Sequence, residues 1–263
     1  MIVALIVISI LCLILLWLMF CGYQWCFGPF HRLHNQKTAR LKGNKDTYSL
    51  EKAGLINESP LKGKKLIFLG SSVTYGASSQ GVSFPDFIGK RNDCTTIKEA
   101  VSGTTLTDDK KNSYISRLKK RKEDNVDRFI CQLSTNDATK GKELGTISSS
   151  YDRNDFDSHT IIGAIETIIA YARKKWNCPI VFFTNPRYES QKYSSRVSVL
   201  KEIADKWNIY IIDLWNTEDF NKISEKERHL YRADRIHPTK AGYLLWWTPV
   251  FEERLYSIIE EAK

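Results

Sequence analysis

The chain has 263 residues, 42% hydrophobic and 26% charged, with 14 Gly and 7 Pro. This is long enough for a substantial core and excludes a disulfide mini-protein, a collagen-like rod or a disordered tail. The formal charge of +9, from 39 Lys and Arg against 30 Asp and Glu, favours an anionic neighbour such as phospholipid headgroups, an anionic polymer or nucleic acid.

From Met1 to Phe20 no side chain is charged, and Leu, Ile, Val and Met dominate. About 20 residues rising about 1.5 Å each cross a hydrocarbon layer of about 30 Å, so residues 1–30 are expected to form a single-pass transmembrane anchor. Trp17, Tyr23, Trp25, Phe27 and Phe30 crowd its exit, and His31, Arg32, Lys37, Arg40, Lys42 and Lys45 follow, an order suited to a membrane–water interface. A cleaved signal peptide would need a basic start, a shorter apolar run and a small-x-small site, none of which is present. The basic flank argues for a cytoplasmic domain. Cys12, Cys21 and Cys26 lie in or beside the anchor, leaving Cys94, Cys131 and Cys178, an odd number without C-x-x-C spacing. Neither a metal site nor a disulfide framework is expected.

Residues 31–62 are polar and basic, without a sustained apolar period, and read as a juxtamembrane linker with one short helix. The folded domain is expected over 63–263. Its apolar runs Leu66–Leu69, Thr95–Val101, Phe129–Leu133, Ile180–Phe183 and Ile209–Ile212 read as five buried parallel strands. Between the later runs, Asp157–Trp176 and Ser194–Trp207 carry apolar residues at helical spacing, and a last helix is expected over Thr239–Glu261. Alternating strands and helices define an α/β fold with helices on both sheet faces, where ligands collect at the carboxyl ends of the strands.

Three such ends carry chemistry. The first strand runs into Gly70-Ser71-Ser72-Val73-Thr74-Tyr75-Gly76, which can expose the Ser72 hydroxyl at a helix start; it is neither a Walker loop nor a full G-x-S-x-G elbow. The third ends in Ser134-Thr135-Asn136-Asp137, placing an amide and a carboxylate at the same edge. After the fifth comes Asp234-Arg235-Ile236-His237-Pro238, whose three-residue spacing lets the carboxylate orient the imidazole. Taken singly, the first two read better as a helix cap and an Asx turn.

Together with Val101-Ser102-Gly103-Thr104 after the second strand, this ordered set resembles the SGNH, or GDSL, hydrolase family from about Lys64 onward. The resemblance implies a three-layer α/β/α flavodoxin-like sandwich with a five-stranded parallel sheet. It places the nucleophile on Ser72, the base on His237 and the orienting acid on Asp234. The oxyanion donors fall on the Ser72 and Gly103 backbone amides and the Asn136 side chain; no cofactor or metal is implied. Ser71 stands where the family usually has Asp, which bears on the support of the turn more than on the triad.

The resulting expectation is a membrane-anchored serine esterase acting on acyl, foremost O-acetyl, esters of carbohydrate or another cell-surface polymer. Such a substrate places the domain outside the cytoplasm, against the charge flank. A lysophospholipase or short-chain lipid esterase is the alternative within the class, and a non-catalytic binding protein on the same fold the alternative outside it. No nucleic-acid motif is present, and Arg117-Leu118-Lys119-Lys120-Arg121-Lys122 reads as a solvated helix face. The polar stretch 138–156 suits a lid or substrate loop. Tyr243, Trp246 and Trp247 read as packing residues, and Arg187 as a surface turn residue within reach of a substrate oxygen.

Overall fold

The computed structural model describes residues 2–25, 28–30 and 32–261. Cys26, Phe27 and His31, counted above with the anchor and its flank, lie outside the described residues, as does the side chain of Trp25. Helix α1 (Ile2–Trp25) has a 23-residue apolar stretch, Ile2–Gln24, whose most apolar 18-residue window has mean hydropathy 3.2 and is not buried at all, long and apolar enough to cross a membrane. Helix α2 (Arg32–Ala39) packs beside its exit, where Lys37 Nζ donates to Gln24 Oε1 at 2.5 Å and covers the Tyr23 ring.

The sheet is built from β1 (Lys65–Gly70), β2 (Thr95–Ala100), β3 (Arg128–Gln132), β4 (Ile180–Phe183) and β5 (Tyr210–Ile212). All pairs are parallel and the order is β2-β1-β3-β4-β5, the doubly wound arrangement whose switch point lies between β1 and β3. Alternation along the strands sorts side chains into two cores. Ile67, Leu69, Phe129, Cys131 and Phe182 face α5 (Tyr114–Leu118), α7 (Ile161–Trp176) and α8 (Gln191–Trp207). Leu66, Phe68, Ile130, Val181, Phe183 and Ile212 face α4 (Phe84–Asn92) and the C-terminal helix. Each large side chain removed from water here contributes about 1.5–3 kcal/mol.

The shorter elements follow the turn chemistry. Helix α3 (Ser72–Tyr75) opens directly after β1, and α6 (Thr135–Thr139) directly after β3. Helix α4 begins with a capping box in which Ser83 and Asp86 satisfy each other's end of the first turn. Helix α7 starts at Ile161 rather than Asp157 because Thr160 caps it, accepting from Gly163 N–H, and α8 starts at Gln191 because Ser190 caps it. After β5 come α9 (Glu218–Asn221) and α10 (Glu225–Tyr231). The last helix opens as a π-helical turn over Gly242–Trp247 and continues as α11 (Thr248–Glu261). Tyr243, Trp246 and Trp247 are buried in the second core, with Trp246 stacked on Phe220.

Two stretches differ from the expectation. Residues 42–62 do not hang as a tether: three 3₁₀ turns fold them onto the domain, and Asn44, Ala53 and Leu61 are buried. Gly43 approaches so closely that a Cβ there would lie 2.0 Å from Leu230 O and 2.2 Å from Thr239 Oγ1. The 138–156 stretch divides: near its start Lys140 Nζ donates to Gly103 O at 2.5 Å, at the carboxyl edge. Its later part runs to the amino edge of the sheet, where Phe156 meets Trp207 and Lys206 Nζ donates to Ser148 O at 2.7 Å and Ser150 O at 2.6 Å. Glu166, almost wholly buried, accepts from Lys206 at 2.5 Å and from Trp207 Nε1 at 3.0 Å, and these contacts hold that later part away from the carboxyl edge.

Candidate active site

At the carboxyl edge, Ser71 has φ −117° and ψ −141°, and this kink starts α3 with Ser72 as its first residue. The residue that holds the turn comes from β3. Gln132 Oε1 accepts from Ser71 N–H at 2.9 Å and from the Thr74 hydroxyl at 2.9 Å, entirely out of solvent. Local support that a carboxylate at position 71 would have supplied is thus provided by Gln132. A Gln closing an apolar run carries no local signal in the sequence.

The turn brings Ser72 to the D-x-x-H segment. Ser72 Oγ lies 2.8 Å from His237 Nε2, and His237 Nδ1 lies 2.8 Å from Asp234 Oδ2. Asp234 Oδ1 also accepts from the backbone N–H groups of Ile236 and His237, at 2.7 and 2.8 Å. Burial works to raise the Asp234 pKa, but the hydrogen bond and charge of His237 and these backbone donors outweigh it and hold the carboxyl at about 2. An ionised carboxylate only accepts, so Nδ1 carries the imidazole proton and Nε2 is left to accept from the serine hydroxyl. Ser72 is 8% exposed, while the His237 side chain is 23% exposed, so the hydroxyl is shielded and the ring reaches solvent.

Two loops complete the edge. Gly103 takes φ +76°, and a Cβ there would meet no atom within 4 Å, so the backbone angle alone demands glycine. Asn136 Nδ2 donates to Thr104 O at 2.9 Å, which places the amide against the Gly103 loop with a second N–H to offer. Asp137, whose pKa burial raises, accepts from Leu106 N–H at 2.9 Å and Thr107 N–H at 3.3 Å and fixes the far side of that loop. Arg117 is buried, not a solvated-face residue. Its guanidinium donates to Gly70 O at 2.8 Å, Thr104 Oγ1 at 3.2 Å and Glu99 O at 2.8 Å, stitching the β1 turn to the β2 loop. Arg121 in the same run is spent on Glu99 and Glu123.

A last connector lies far away in sequence. Asn44, 5% exposed, donates to Ser78 O at 2.7 Å and Thr38 O at 2.8 Å and accepts from Lys240 N–H at 2.8 Å. It ties the segment after α2 both to the chain following the Ser72 turn and to the loop that carries His237. Arg187 is exposed after β4, its Nε donating to Trp215 O at 3.3 Å. Among the described residues no group of His, Cys, Asp and Glu is arranged to hold a metal ion.

A serine hydroxyl aligned with an imidazole and a carboxylate, beside a glycine loop and an amide, is the arrangement of a serine hydrolase on a doubly wound sheet. The profile of the GDSL-like Lipase/Acylhydrolase family matches residues 68–245, and the chain belongs to that family, as an SGNH-type hydrolase acting on esters. Solved structures share the fold. A protein from Lactobacillus plantarum is 18% identical with a TM-score of 0.60, over 76% of this chain and 98% of that one. A G-D-S-L family protein from Desulfitobacterium hafniense is 18% identical with a TM-score of 0.52, over 73% and 99%. A family two carbohydrate esterase from Clostridium thermocellum, solved in complex with cellohexaose, is 17% identical with a TM-score of 0.52, over 79% and 66%. Comparison with curated proteins finds no significant match.

Proposed function

We propose that the protein is a membrane-anchored serine esterase that removes acyl groups, foremost O-acetyl groups, from carbohydrate or another cell-surface polymer. The observation that carries this reading is the continuous Ser72–His237–Asp234 chain of 2.8 Å contacts. In this reading Ser72 Oγ attacks the ester carbonyl while His237 Nε2 takes its proton. His237 then returns that proton to the departing alcohol, leaving an acyl-enzyme. Water, deprotonated by the same nitrogen, attacks the acyl carbonyl, and Ser72 leaves with the proton restored. Asp234 keeps the imidazole in the tautomer that accepts and offsets its charge once protonated.

The tetrahedral oxyanion of both steps is assigned to the Ser72 and Gly103 backbone N–H groups and the Asn136 side chain. Loss of one such donor costs about 3–4 kcal/mol of barrier. The carbohydrate part is supported by the fold shared with the carbohydrate esterase, and the anchor by the apolarity and length of α1. A polymer substrate at the cell surface favours a domain outside the cytoplasm.

The test is labelling of the full chain with a fluorophosphonate probe, with hydrolysis of p-nitrophenyl acetate measured in parallel. Labelling and turnover are expected to disappear in Ser72→Ala and to fall steeply in His237→Ala, with circular dichroism unchanged. Undiminished turnover in folded Ser72→Ala overturns the assignment. Protease treatment of intact cells is expected to digest the domain; full protection refutes the outward orientation.

A further inference from the structure

Beside the Asp234–His237 turn lies a cavity of about 340 Å³ lined by Arg187, Glu218, Asn221, Lys222, Arg228 and Arg232. Its walls are the segments that leave the carboxyl ends of β4 and β5, so it opens on the same edge as Ser72. Arg232 is joined to the catalytic turn directly: it bridges Pro238 across two antiparallel backbones, and the next residue, Ala233, donates its N–H to His237 O at 2.9 Å.

The charge of this cavity is unbalanced. Elsewhere Arg91 meets Glu252, Lys98 meets Asp86, Arg117 meets Glu99 and Lys206 meets Glu166, while Arg196, buried without an acid, is spent on the backbone oxygens of Lys192 and Lys142. In the cavity the carboxylate of Glu218 is engaged by Lys222 at 3.5 Å, and Lys222 also takes Asp219 at 3.2 Å. Among the described residues Arg187, Arg228 and Arg232 form no ion pair, and the guanidinium groups of Arg228 and Arg232 donate no hydrogen bond. Arg232 instead stacks 4.9 Å over the Trp246 ring, which fixes its plane at the cavity wall. Burial first, and then the nearby charge of Arg228, push the Arg232 pKa below its usual range, so the two cations are held close without a counter-charge.

Like charges held together, with forked donors free, form a receptor for an oxyanion: guanidinium groups grip carboxylate or phosphate through paired N–H donors. We infer that this cavity is a subsite for an anionic group on the substrate, so that the ester presented to Ser72 belongs to an acidic carbohydrate bearing a uronate carboxylate or a phosphate near the acylated sugar. The inference rests on the carbohydrate esterase reading above and makes it narrower: the enzyme selects acidic over neutral chains by a built cavity beside its base, not by overall charge.

The experiment compares three O-acetylated oligosaccharides with the full chain in detergent: an oligogalacturonate, the same oligomer with its carboxyls reduced to alcohols, and a phosphate-bearing oligosaccharide. The readout is kcat/KM for each acidic substrate divided by that for the neutral one, so that partial loss of folded enzyme cancels. The wild-type ratio is expected to be about tenfold or more for at least one acidic substrate, the size of one or two charge-assisted hydrogen bonds. It is expected to fall toward one, through KM, in the Arg187→Gln/Arg228→Gln variant and to recover in part in Arg187→Lys/Arg228→Lys. Whichever acidic substrate shows the ratio identifies the oxyanion. Wild-type ratios near one for both, with p-nitrophenyl acetate still hydrolysed, overturn the subsite alone. A chain inert to every ester, p-nitrophenyl acetate included, overturns the catalytic reading and the subsite with it.

Discussion

Removal of the Asn44 side chain tests whether the segment that precedes the family match over residues 68–245 positions Ser72 and His237. Asn44→Ala deletes three buried hydrogen bonds, to Ser78 O, Thr38 O and Lys240 N–H. At about 1 kcal/mol net for each, the loss comes to about 3 kcal/mol, and more if water cannot reach the groups left behind. Asn44→Asp sharpens the point, because it keeps the acceptor for Lys240 but sets an oxygen where Nδ2 faced two carbonyl oxygens at 2.7 and 2.8 Å. It is therefore expected to destabilise at least as much as the alanine. The assay is urea unfolding of the full chain in detergent, followed by tryptophan fluorescence, together with the rate of fluorophosphonate labelling under native conditions. Because Lys240 lies three residues beyond His237, labelling is expected to slow by more than the loss of folded protein accounts for. A stability change below about 0.5 kcal/mol in Asn44→Ala, or a wild-type-like Asn44→Asp, would refute the reasoning.

Two further perturbations probe other parts of the frame. Lys206→Met strips the ammonium from Glu166, which is 0% exposed, and is expected to cost about 3–5 kcal/mol in urea unfolding; Lys206→Met/Glu166→Leu should regain most of it, and an equally unstable double variant would rule out the uncompensated charge as the cause. Asp234→Asn is expected to reduce kcat on the order of 10³-fold, since an amide no longer fixes the imidazole tautomer. The Asp234 carboxyl is held at about 2 in the folded chain, below its ordinary 3.8, so its contribution to stability is fully present above about pH 4 and is lost as pH falls through about 2. The stability difference between wild type and Asp234→Asn should accordingly be level above pH 4 and shrink below it; a difference still rising between pH 5 and 8 would contradict the assigned shift.

The parts of the molecule legible in the sequence are those whose signal is local. Four short apolar runs gave β1, β3, β4 and β5 within a residue, because a parallel strand covered by helices must be largely apolar, whereas β2, at the sheet edge, is half-buried and mostly polar. Ser72, Asn136 and Asp234–His237 stood out because each follows a strand and the fold gathers strand ends on one edge. Helix starts were displaced by three or four residues where caps, Thr160 and Ser190, decided the boundary more than periodicity did.

What the sequence hid is long-range. Gln132 reads as the polar end of an apolar run, Arg117 as one cation among several, and Asn44 as part of a polar stretch, yet each is buried and bonded to segments 34 to 196 residues away. A polar side chain becomes a structural fixture only when the fold removes it from water and surrounds it with backbone groups that lack other partners. Composition along the chain carries no trace of that event, so residues 42–62 resembled a tether. The same logic isolates the arginine cavity: Arg117 and Arg121 lie in a conspicuous basic run and are consumed inside the domain, whereas Arg187, after β4, and Arg228 and Arg232, on α10 and at its end, meet no acid. Cations left without an acid in this way, beside the turn that carries His237, are the ones free to act in the proposed selection among esters.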